Sequence, residues 1–353
     1  MPYVRTDDRV RIYYEEHGPT DAGAKGSPVV LAYGIGGNAD LWDVNVPALA
    51  ARHRLVLWEP RGHARSDSPE DPARYSFARW VLDLKAVLDH LRLRTAHIGG
   101  LSLGAGIATR FALTFPARVR SLLVTNSSSA AGLPLSVDNL VMRARSIEVT
   151  LTRGMDAMAE FAMASNPNVA ARLALDPGSK DEFYAYYRRL TPIGYANSLR
   201  ALLAMDHITD RLTSLRMPVL LIGGDRDPSL PPMKVMQKKI RGSRLVVLSP
   251  ASHFANRDQP EAWNGAALDF LARCDAGTRG RGRACRHRSA PGSPGPPGSI
   301  PPADRGWRSG WRATARPAAS LGSSRASPSS AAGRDRGRHR SGAPALEGSA
   351  GGR

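Results

Sequence analysis

The 353-residue sequence predicts an α/β protein with a mostly parallel central sheet flanked by helices. Short apolar runs of strand length alternate with amphipathic segments of helix length, which is the pattern of repeated βαβ units. One long interruption in mid-chain contains only helical segments. All periodicity is lost after residue 274. These observations divide the chain into a sheet domain, a helical insertion and a tail.

The sheet domain is assigned to residues 1–131 and 206–274. Most of its apolar runs are continuous rather than alternating, which indicates strands buried on both faces. The predicted strands are Val10–Glu16, Pro28–Tyr33, Arg54–Trp58, Ala96–Gly99, Ser121–Thr125, Val219–Ile222 and Leu245–Leu248. The predicted helices, with apolar residues at helical spacing, are Phe77–Leu91, Leu103–Phe115 and Pro260–Cys274.

The insertion covers residues 132–205 and is rich in methionine and aromatic residues. Each of these residues taken alone is expected to belong to an ordinary helical core. A helical insertion between two sheet strands, however, is typical of a lid over a binding cleft. We therefore predict a helical cap over residues 132–205.

The tail, residues 275–353, is predicted to be a disordered, basic, low-complexity segment, because its Pro, Gly, Ser, Ala and Arg residues cannot bury enough apolar surface to fold. Fifteen Arg and four acidic residues give it a net charge of +11, which leaves +7 of the total +18 for residues 1–274. The tail could be an arginine-rich nucleic-acid-binding arm. It lacks Lys, Asn, Gln, Tyr and Phe, however, so we favour an out-of-frame product of a GC-rich gene and expect no nucleic-acid partner.

Composition excludes several other classes of protein. The N-terminus has no apolar signal-peptide core, and no apolar run approaches the length of a membrane span. The two cysteines lie at or beyond the end of the patterned region, as expected in a reducing compartment. No histidine pair has metal-ligand spacing with a third ligand nearby. We expect a cytoplasmic protein with no metal, no cofactor and no membrane partner.

The strongest motif is G-x-S-x-G around Ser102, placed directly between a predicted strand and a predicted helix. A serine at such a tight turn adopts a strained conformation, and its hydroxyl projects above the edge of the sheet. Flanking glycines are required because side chains there would collide with the neighbouring strand and helix. Ser102 is therefore the predicted nucleophile.

A serine hydroxyl needs a base, and the base needs an orienting acid. Asp227 follows the strand Val219–Ile222, and His253 follows the strand Leu245–Leu248, so both lie at carboxyl ends of strands. We predict Asp227 as the acid and His253 as the base. Asp225 remains the alternative acid, and a surface position remains the alternative for His253.

The glycine-rich loop after the strand Pro28–Tyr33 is predicted to supply part of an oxyanion hole. Its glycines permit close approach of the backbone to a substrate. The predicted donors are the backbone amides of Ile35 and Leu103, with a tight glycine turn of no catalytic role as the alternative. Tyr33, Gly34, Trp42 and Phe254 are the predicted substrate contacts.

These motifs together resemble the α/β-hydrolase superfamily over roughly residues 5–273. The matching stretches are YGIGGNADLW, EPRGHARSD, GLSLG, GGDRDP and ASHFANRDQPEAWN. The sequence is most similar to 3-oxoadipate enol-lactonases and related carboxylesterases. It departs from their usual pattern at Tyr33, where a histidine is usual, at Glu59, where an aspartate is usual, and at Ala64, where a glycine is usual.

The resemblance implies hydrolysis of a small carboxylic ester or enol-lactone, without a cofactor, through an acyl-enzyme on Ser102. The same triad also serves carbon–carbon bond hydrolases and cofactor-free perhydrolases, which therefore remain open. A ligand-binding protein that retains the fold without turnover is a further alternative. The expected partner is a small-molecule substrate.

Overall fold

A computed structural model of the chain describes residues 2–20 and 23–284. The strands are β1 (Tyr3–Arg5), β2 (Arg11–His17), β3 (Val29–Ala32), β4 (Leu55–Trp58), β5 (Ala96–Leu101), β6 (Val119–Thr125), β7 (Val219–Gly224) and β8 (Arg244–Leu248). The helices are α1 (Val46–Ala50), α2 (Phe77–His90), α3 (Leu103–Thr114), α4 (Val137–Ser165), α5 (Pro167–Leu175), α6 (Lys180–Arg188), α7 (Pro192–Leu203), α8 (Leu230–Lys239), α9 (Ala255–Asp258) and α10 (Pro260–Ala284). The predicted α/β class and mostly parallel sheet are confirmed. Four elements of the sheet domain, β1, α1, α8 and α9, have no predicted counterpart, because a three-residue strand, two helices of five and four residues and a helix with two early prolines carry weak patterns.

The eight strands form one sheet in the order β1-β2-β4-β3-β5-β6-β7-β8. β2 pairs antiparallel with β1 and β4, and the remaining neighbours are parallel. The carboxyl ends of β5, β6, β7 and β8 therefore meet at one edge. The loops that leave this edge carry the predicted catalytic residues.

The sheet has a hydrophobic core on each face, and alternate residues of a strand point to opposite cores. In β3, Val30 and Ala32 belong to the core shared with α2, α3 and α8, whereas Val29 and Leu31 belong to the core shared with α1 and α10. Residues of β3, β4, β5 and β7 are buried throughout, which explains their continuous apolar sequences.

Helices α4 to α7 lie between β6 and β7, in the interval for which the sequence predicts a cap. They pack on one another around their own apolar cluster, which includes Met158, Phe183 and Tyr195. The helix α4 is broken at Gly154, whose φ of 80° and ψ of −172° are not helical. An ion pair of 2.7 Å between Arg172 of α5 and Asp258 of α9 joins these helices to the part of the chain that follows β8.

The last helix continues past its expected end at Cys274 and runs to Ala284. Asp275, which the sequence analysis placed in the tail, is only 7% exposed and belongs to the folded body. Its carboxylate accepts hydrogen bonds from the backbone N–H of Ser27 at 3.0 Å and from the Ser27 hydroxyl at 2.5 Å, and it lies 3.3 Å from Nε2 of His97. The periodicity ends at Cys274 because this anchor is polar. The predicted tail from residue 285 onward lies outside the described residues.

Within residues 2–20 and 23–284, no helix combines the length and the apolar character needed to cross a bilayer.

Candidate active site

Ser102 occupies the tight turn between β5 and α3. Its φ of 53° and ψ of −113° lie in a region that residues other than glycine rarely adopt. The Ser102 N–H donates to the carbonyl of Thr125 at 3.0 Å, and the Ser102 carbonyl accepts from the hydroxyl of Ser127 at 2.7 Å. A Cβ at Gly100 or Gly104 would collide with the backbone of β3. The surrounding backbone therefore holds the strained serine in place and requires both glycines of the motif.

Asp227 and His253 lie beside each other at the carboxyl ends of β7 and β8. The Asp227 Oδ1 atom is 3.0 Å from Nδ1 of His253, and Asp227 is 4% exposed. Burial by itself raises the pKa of Asp227, but the charge and hydrogen bond of His253, together with hydrogen bonds from Ser229, outweigh it and lower the pKa to about 2. Asp227 is therefore a carboxylate at neutral pH, in position to orient the imidazole.

Asp225, the alternative acid, has partners other than the histidine. Its carboxylate accepts hydrogen bonds from the Ser249 hydroxyl at 2.7 Å and from the Ala251 N–H at 2.8 Å. Asp225 thus ties the loop after β7 to the loop after β8. The geometry brings Asp227, and not Asp225, to His253.

Asn126 is a neighbour of Asp227 that the sequence analysis did not single out as a site residue. Its side-chain amide donates to Asp227 Oδ2 and, at 3.2 Å, to the carbonyl of Ser252. Its φ of 44° is in the left-handed region that asparagine tolerates better than most residues. The signal in the sequence was its place directly after β6, since ligands and catalytic groups collect at the carboxyl ends of such strands.

The loop after β3 approaches Ser102 closely. A Cβ on Gly34 would lie 2.9 Å from the Cβ and 3.5 Å from the Oγ of Ser102, so a side chain there would crowd the hydroxyl. Ile35, the next residue, lines the same cavity as Ser102. Leu103 is the first residue of α3, where a backbone N–H has no partner within the helix.

Ser102 and His253 open on a cavity of about 310 Å³, which is lined by loops at the carboxyl edge of the sheet and by residues of α4, α5 and α6. Of the predicted substrate contacts, Tyr33, Gly34 and Phe254 line this cavity. Trp42 instead lies in the core behind Tyr33, with 1% exposure. Its ring is 5.3 Å from the ring of Tyr33 and 5.3 Å from that of Trp263. Trp42 supports the wall of the cavity from behind.

Two of the departures from the usual pattern have visible contacts. The Tyr33 hydroxyl donates to Oδ1 of Asn256 at 3.1 Å, which braces the loop after β3 against α9, the short helix that follows His253. Glu59 accepts hydrogen bonds from the backbone N–H of Ala39 at 3.2 Å and of Arg65 at 2.7 Å. At Ala64, the third departure, φ is 35° although the residue is not glycine.

Comparisons with known proteins agree with this architecture. The sequence profile of the alpha/beta hydrolase fold matches residues 27–260. The chain is 29% identical to 3-oxoadipate enol-lactonase 1 of Acinetobacter baylyi over 69% of its own length and 87% of that protein's. It is 28% identical to a protein of Azorhizobium caulinodans named for carbamate hydrolysis, over 78% of its own length and 100% of that protein's.

Among solved structures, the fold resembles a carboxylesterase of Nitrososphaera gargenis with a TM-score of 0.69 and 27% identity, over 77% of this chain and 98% of that one. The resemblance to α/β-hydrolases that the motifs indicate is thus confirmed by the family profile and by the similarity to solved structures. Because the family profile spans the sheet domain from β3 to the start of α10, the chain belongs to the alpha/beta hydrolase fold family.

Proposed function

We propose that this protein is a serine hydrolase that cleaves small carboxylic esters or lactones through an acyl-enzyme. Two observations carry the proposal: Asp227 pairs with His253, and His253 lines the same cavity as the strained Ser102. Relatives named for enol-lactone and carbamate hydrolysis, and a carboxylesterase of the same fold, support acyl transfer to water as the reaction class.

In the first half of the reaction, the neutral imidazole of His253 takes the proton of Ser102 as the hydroxyl oxygen attacks the substrate carbonyl. The carbon–oxygen double bond becomes a single bond to an oxyanion. The amides of Ile35 and Leu103 are the proposed donors to that oxyanion. The imidazolium is stabilised by the Asp227 carboxylate and then protonates the departing alkoxide, which leaves an ester on Ser102.

In the second half, a water molecule gives a proton to His253 and attacks the acyl-enzyme carbonyl. The second tetrahedral intermediate collapses, the Ser102 oxygen recovers the proton from His253, and the carboxylic acid is released. For a lactone the alcohol and the acid are parts of one product. No step needs an oxidant, a reductant or a cofactor.

The size of the cavity favours a small substrate. Ligand pockets in proteins span about 300–1,000 Å³, and this cavity of about 310 Å³ is at the lower end of that range. Its walls include apolar side chains such as Leu133, Val169 and Phe183 beside the catalytic groups. This is the setting expected for a short acyl chain or a single ring.

The experiment compares wild type, Ser102→Ala and Ser165→Ala on p-nitrophenyl acetate. Ser165 is an exposed serine at the end of α4 and serves as the matched control. Loss of the nucleophile is expected to lower kcat by about 10⁴-fold or more, whereas the control keeps wild-type kinetics. A fluorophosphonate probe should label wild type and Ser165→Ala but not Ser102→Ala. Wild-type activity in Ser102→Ala would overturn the proposal.

A panel of an enol-lactone, an aryl ester and a ring-fission diketone separates the competing reactions on this triad. Faster cleavage of the diketone than of either ester would assign the site to carbon–carbon bond hydrolysis. Thermal stabilisation by these compounds without product would favour a binding protein.

A further inference from the structure

The short helix α9 begins two residues after the proposed base, His253, and has only four residues. A helix of that length is not stable by its own hydrogen bonds, so contacts with other elements must fix its position. Some of these contacts come from the segment between β3 and α1. The side-chain amide of Asn256 donates to the carbonyl of Leu41 at 3.0 Å and to Oδ1 of Asn45 at 2.9 Å. Further contacts come from the helical insertion that comprises α4 to α7.

Two ion pairs of opposite polarity join this insertion to neighbouring residues of α9. Arg172 of α5 lies 2.7 Å from Oδ1 of Asp258, and Glu182 of α6 lies 3.5 Å from Arg257. The Asp258 side chain is only 2% exposed and the Arg172 side chain only 11%, whereas Glu182 is 39% exposed. When one partner of a buried ion pair is lost, the other remains buried and uncompensated. The link between Arg172 and Asp258 is therefore the stronger of the two.

The other oxygen of the Asp258 carboxylate holds the backbone on both sides of His253. This Oδ2 atom accepts hydrogen bonds from the N–H and from the hydroxyl of Ser252, each at 2.6 Å. The Ser252 hydroxyl oxygen in turn accepts from the N–H of Phe254 at 3.2 Å. The carboxylate of Asp258 thus joins α5 to the two residues that flank the proposed base.

The proposed mechanism requires the imidazole of His253 to reach Asp227 and the hydroxyl of Ser102 at the same time. The carboxylate of Asp227 is fixed by the Ser229 N–H and by the side chain of Asn126, neither of which belongs to the insertion. A displacement of reacting groups by about 1 Å costs about 100-fold in rate. The backbone that carries the imidazole must therefore be fixed as accurately as Asp227.

We infer that Arg172 is a positioning residue for the proposed reaction: through Asp258 it fixes the backbone of His253, so that the position of the base depends on the position of the insertion. The inference rests on the proposed function and adds to it a residue that is not among those lining the cavity. Because Arg172 acts on the base, its loss should lower the rate of the chemical step. An insertion that only enclosed the substrate would instead affect binding.

The test compares Arg172→Met with Arg188→Met on p-nitrophenyl acetate. Arg188 is the matched control, because its ion pair of 2.7 Å joins it to Asp156 of α4, within the insertion. Arg172→Met is expected to lower kcat by about 10-fold to 100-fold, whereas Arg188→Met keeps the wild-type kcat. Arg172→Lys keeps a positive charge opposite Asp258 and should recover part of the loss.

Inactivation by a fluorophosphonate separates the chemical step from binding. The Ser102 oxygen forms a bond to phosphorus, fluoride leaves and the Ser102 proton passes to His253, so the limiting rate kinact depends on the base. The constant KI reports binding of the probe. In Arg172→Met, kinact is expected to fall together with kcat, while KI changes less than about threefold.

A double-mutant cycle tests whether Arg172 acts through Asp258. Asp258→Asn alone should lower kcat, since a neutral amide oxygen accepts more weakly from Ser252 than a carboxylate does. Adding Arg172→Met to Asp258→Asn should lower kcat less than about threefold further, because the link is already broken. Far-UV circular dichroism and the melting temperature check that each variant is folded. If Arg172→Met does not fold, Arg172→Lys takes its place in both comparisons, with kinact again expected to fall and KI to stay unchanged.

Three results would overturn the inference. One is a wild-type kcat in folded Arg172→Met. Another is a rise in KM and KI with unchanged kcat and kinact, which would limit Arg172 to holding the insertion over the cavity. The third is full multiplication of the two losses in the double variant, which would separate Arg172 from Asp258. Each result would leave the proposed function intact, since that depends on the loss of activity in Ser102→Ala.

Discussion

The Oδ1 atom of Asp227 lies 3.0 Å from Nδ1 of His253, while Asp225, two residues earlier in the same loop, bonds to Ser249 and Ala251. The chain therefore offers a matched pair of aspartates for a test of the triad. Asp227→Asn should lower kcat by about 10⁴-fold, because the amide favours the wrong imidazole tautomer and cannot stabilise the imidazolium.

Asp225→Asn should lower kcat less than about tenfold, since Asp225 joins two loops and does not touch the imidazole. The measurement is kcat on an aryl ester at saturating substrate for both variants, with melting temperature as the check on folding. Equal losses in the two variants would contradict the assigned geometry.

Gly34→Ala should impair catalysis more than it impairs folding. The added Cβ would lie 2.9 Å from the Cβ of Ser102, and the loop or the serine must move to relieve the contact. A displacement of the reacting atoms by about 1 Å costs about 100-fold in kcat/KM. Gly265→Ala is the control, because a Cβ there meets nothing within 4 Å in α10 and should slightly stabilise the helix. An active Gly34→Ala variant would argue against a close approach of this loop to the site.

Asp275 should stabilise the fold through its contacts with Ser27 and His97. Asp275→Asn is expected to lower the free energy of unfolding by about 2 kcal/mol at pH 7, as measured by urea titration. Asp269→Asn is the matched control on the same helix, because Asp269 is an exposed carboxylate paired with Arg273 and Arg244. A chain that ends at Cys274 should be less stable than one that ends at Ala284.

The contribution of Asp275 should depend on pH in a defined direction. Burial opposes ionisation, but hydrogen bonds from His97 and Ser27 outweigh it and hold the pKa of Asp275 well below its usual value. A depressed pKa stabilises the folded state above the unfolded-state value of about 4, and the stabilisation is lost as pH falls. The difference in unfolding free energy between wild type and Asp275→Asn should therefore shrink below about pH 4. A difference that grows on acidification would contradict this assignment.

Much of the fold and the placement of the candidate catalytic residues could be predicted because the signals are local. A continuous apolar run indicates a strand buried on both faces, and a serine flanked by glycines at the end of such a run indicates a strained turn. Ser102, Asp227 and His253 each follow a strand, and parallel strands bring their carboxyl ends to one edge. Position at a strand end could not distinguish Asp225 from Asp227 as the partner of His253, because both aspartates lie in the same loop.

The predictions that the structure corrected concern side chains whose contact partners are distant in the sequence. Trp42 follows a glycine-rich loop, so a place in the cavity was a reasonable expectation, yet its ring packs on Trp263 from the last helix. Asp275 follows Cys274, where the apolar periodicity of α10 ends, yet it reaches Ser27, 248 residues earlier in the chain. No local pattern encodes such pairs, since they form only when separate elements have packed.

Local sequence patterns were enough to predict the α/β class, the strained turn at Ser102 and the order of Ser102, Asp227 and His253 at strand ends, because backbone sterics and hydrophobic periodicity act over a few residues. Only the tertiary structure decided which carboxylate meets His253, where the folded body ends and what faces the cavity. Arg143 shows the physical reason most clearly. An arginine on an amphipathic helix is expected to be solvated, yet Arg143 of α4 lines the same cavity as Ser102, and its buried Nε has no hydrogen-bond partner among the described residues.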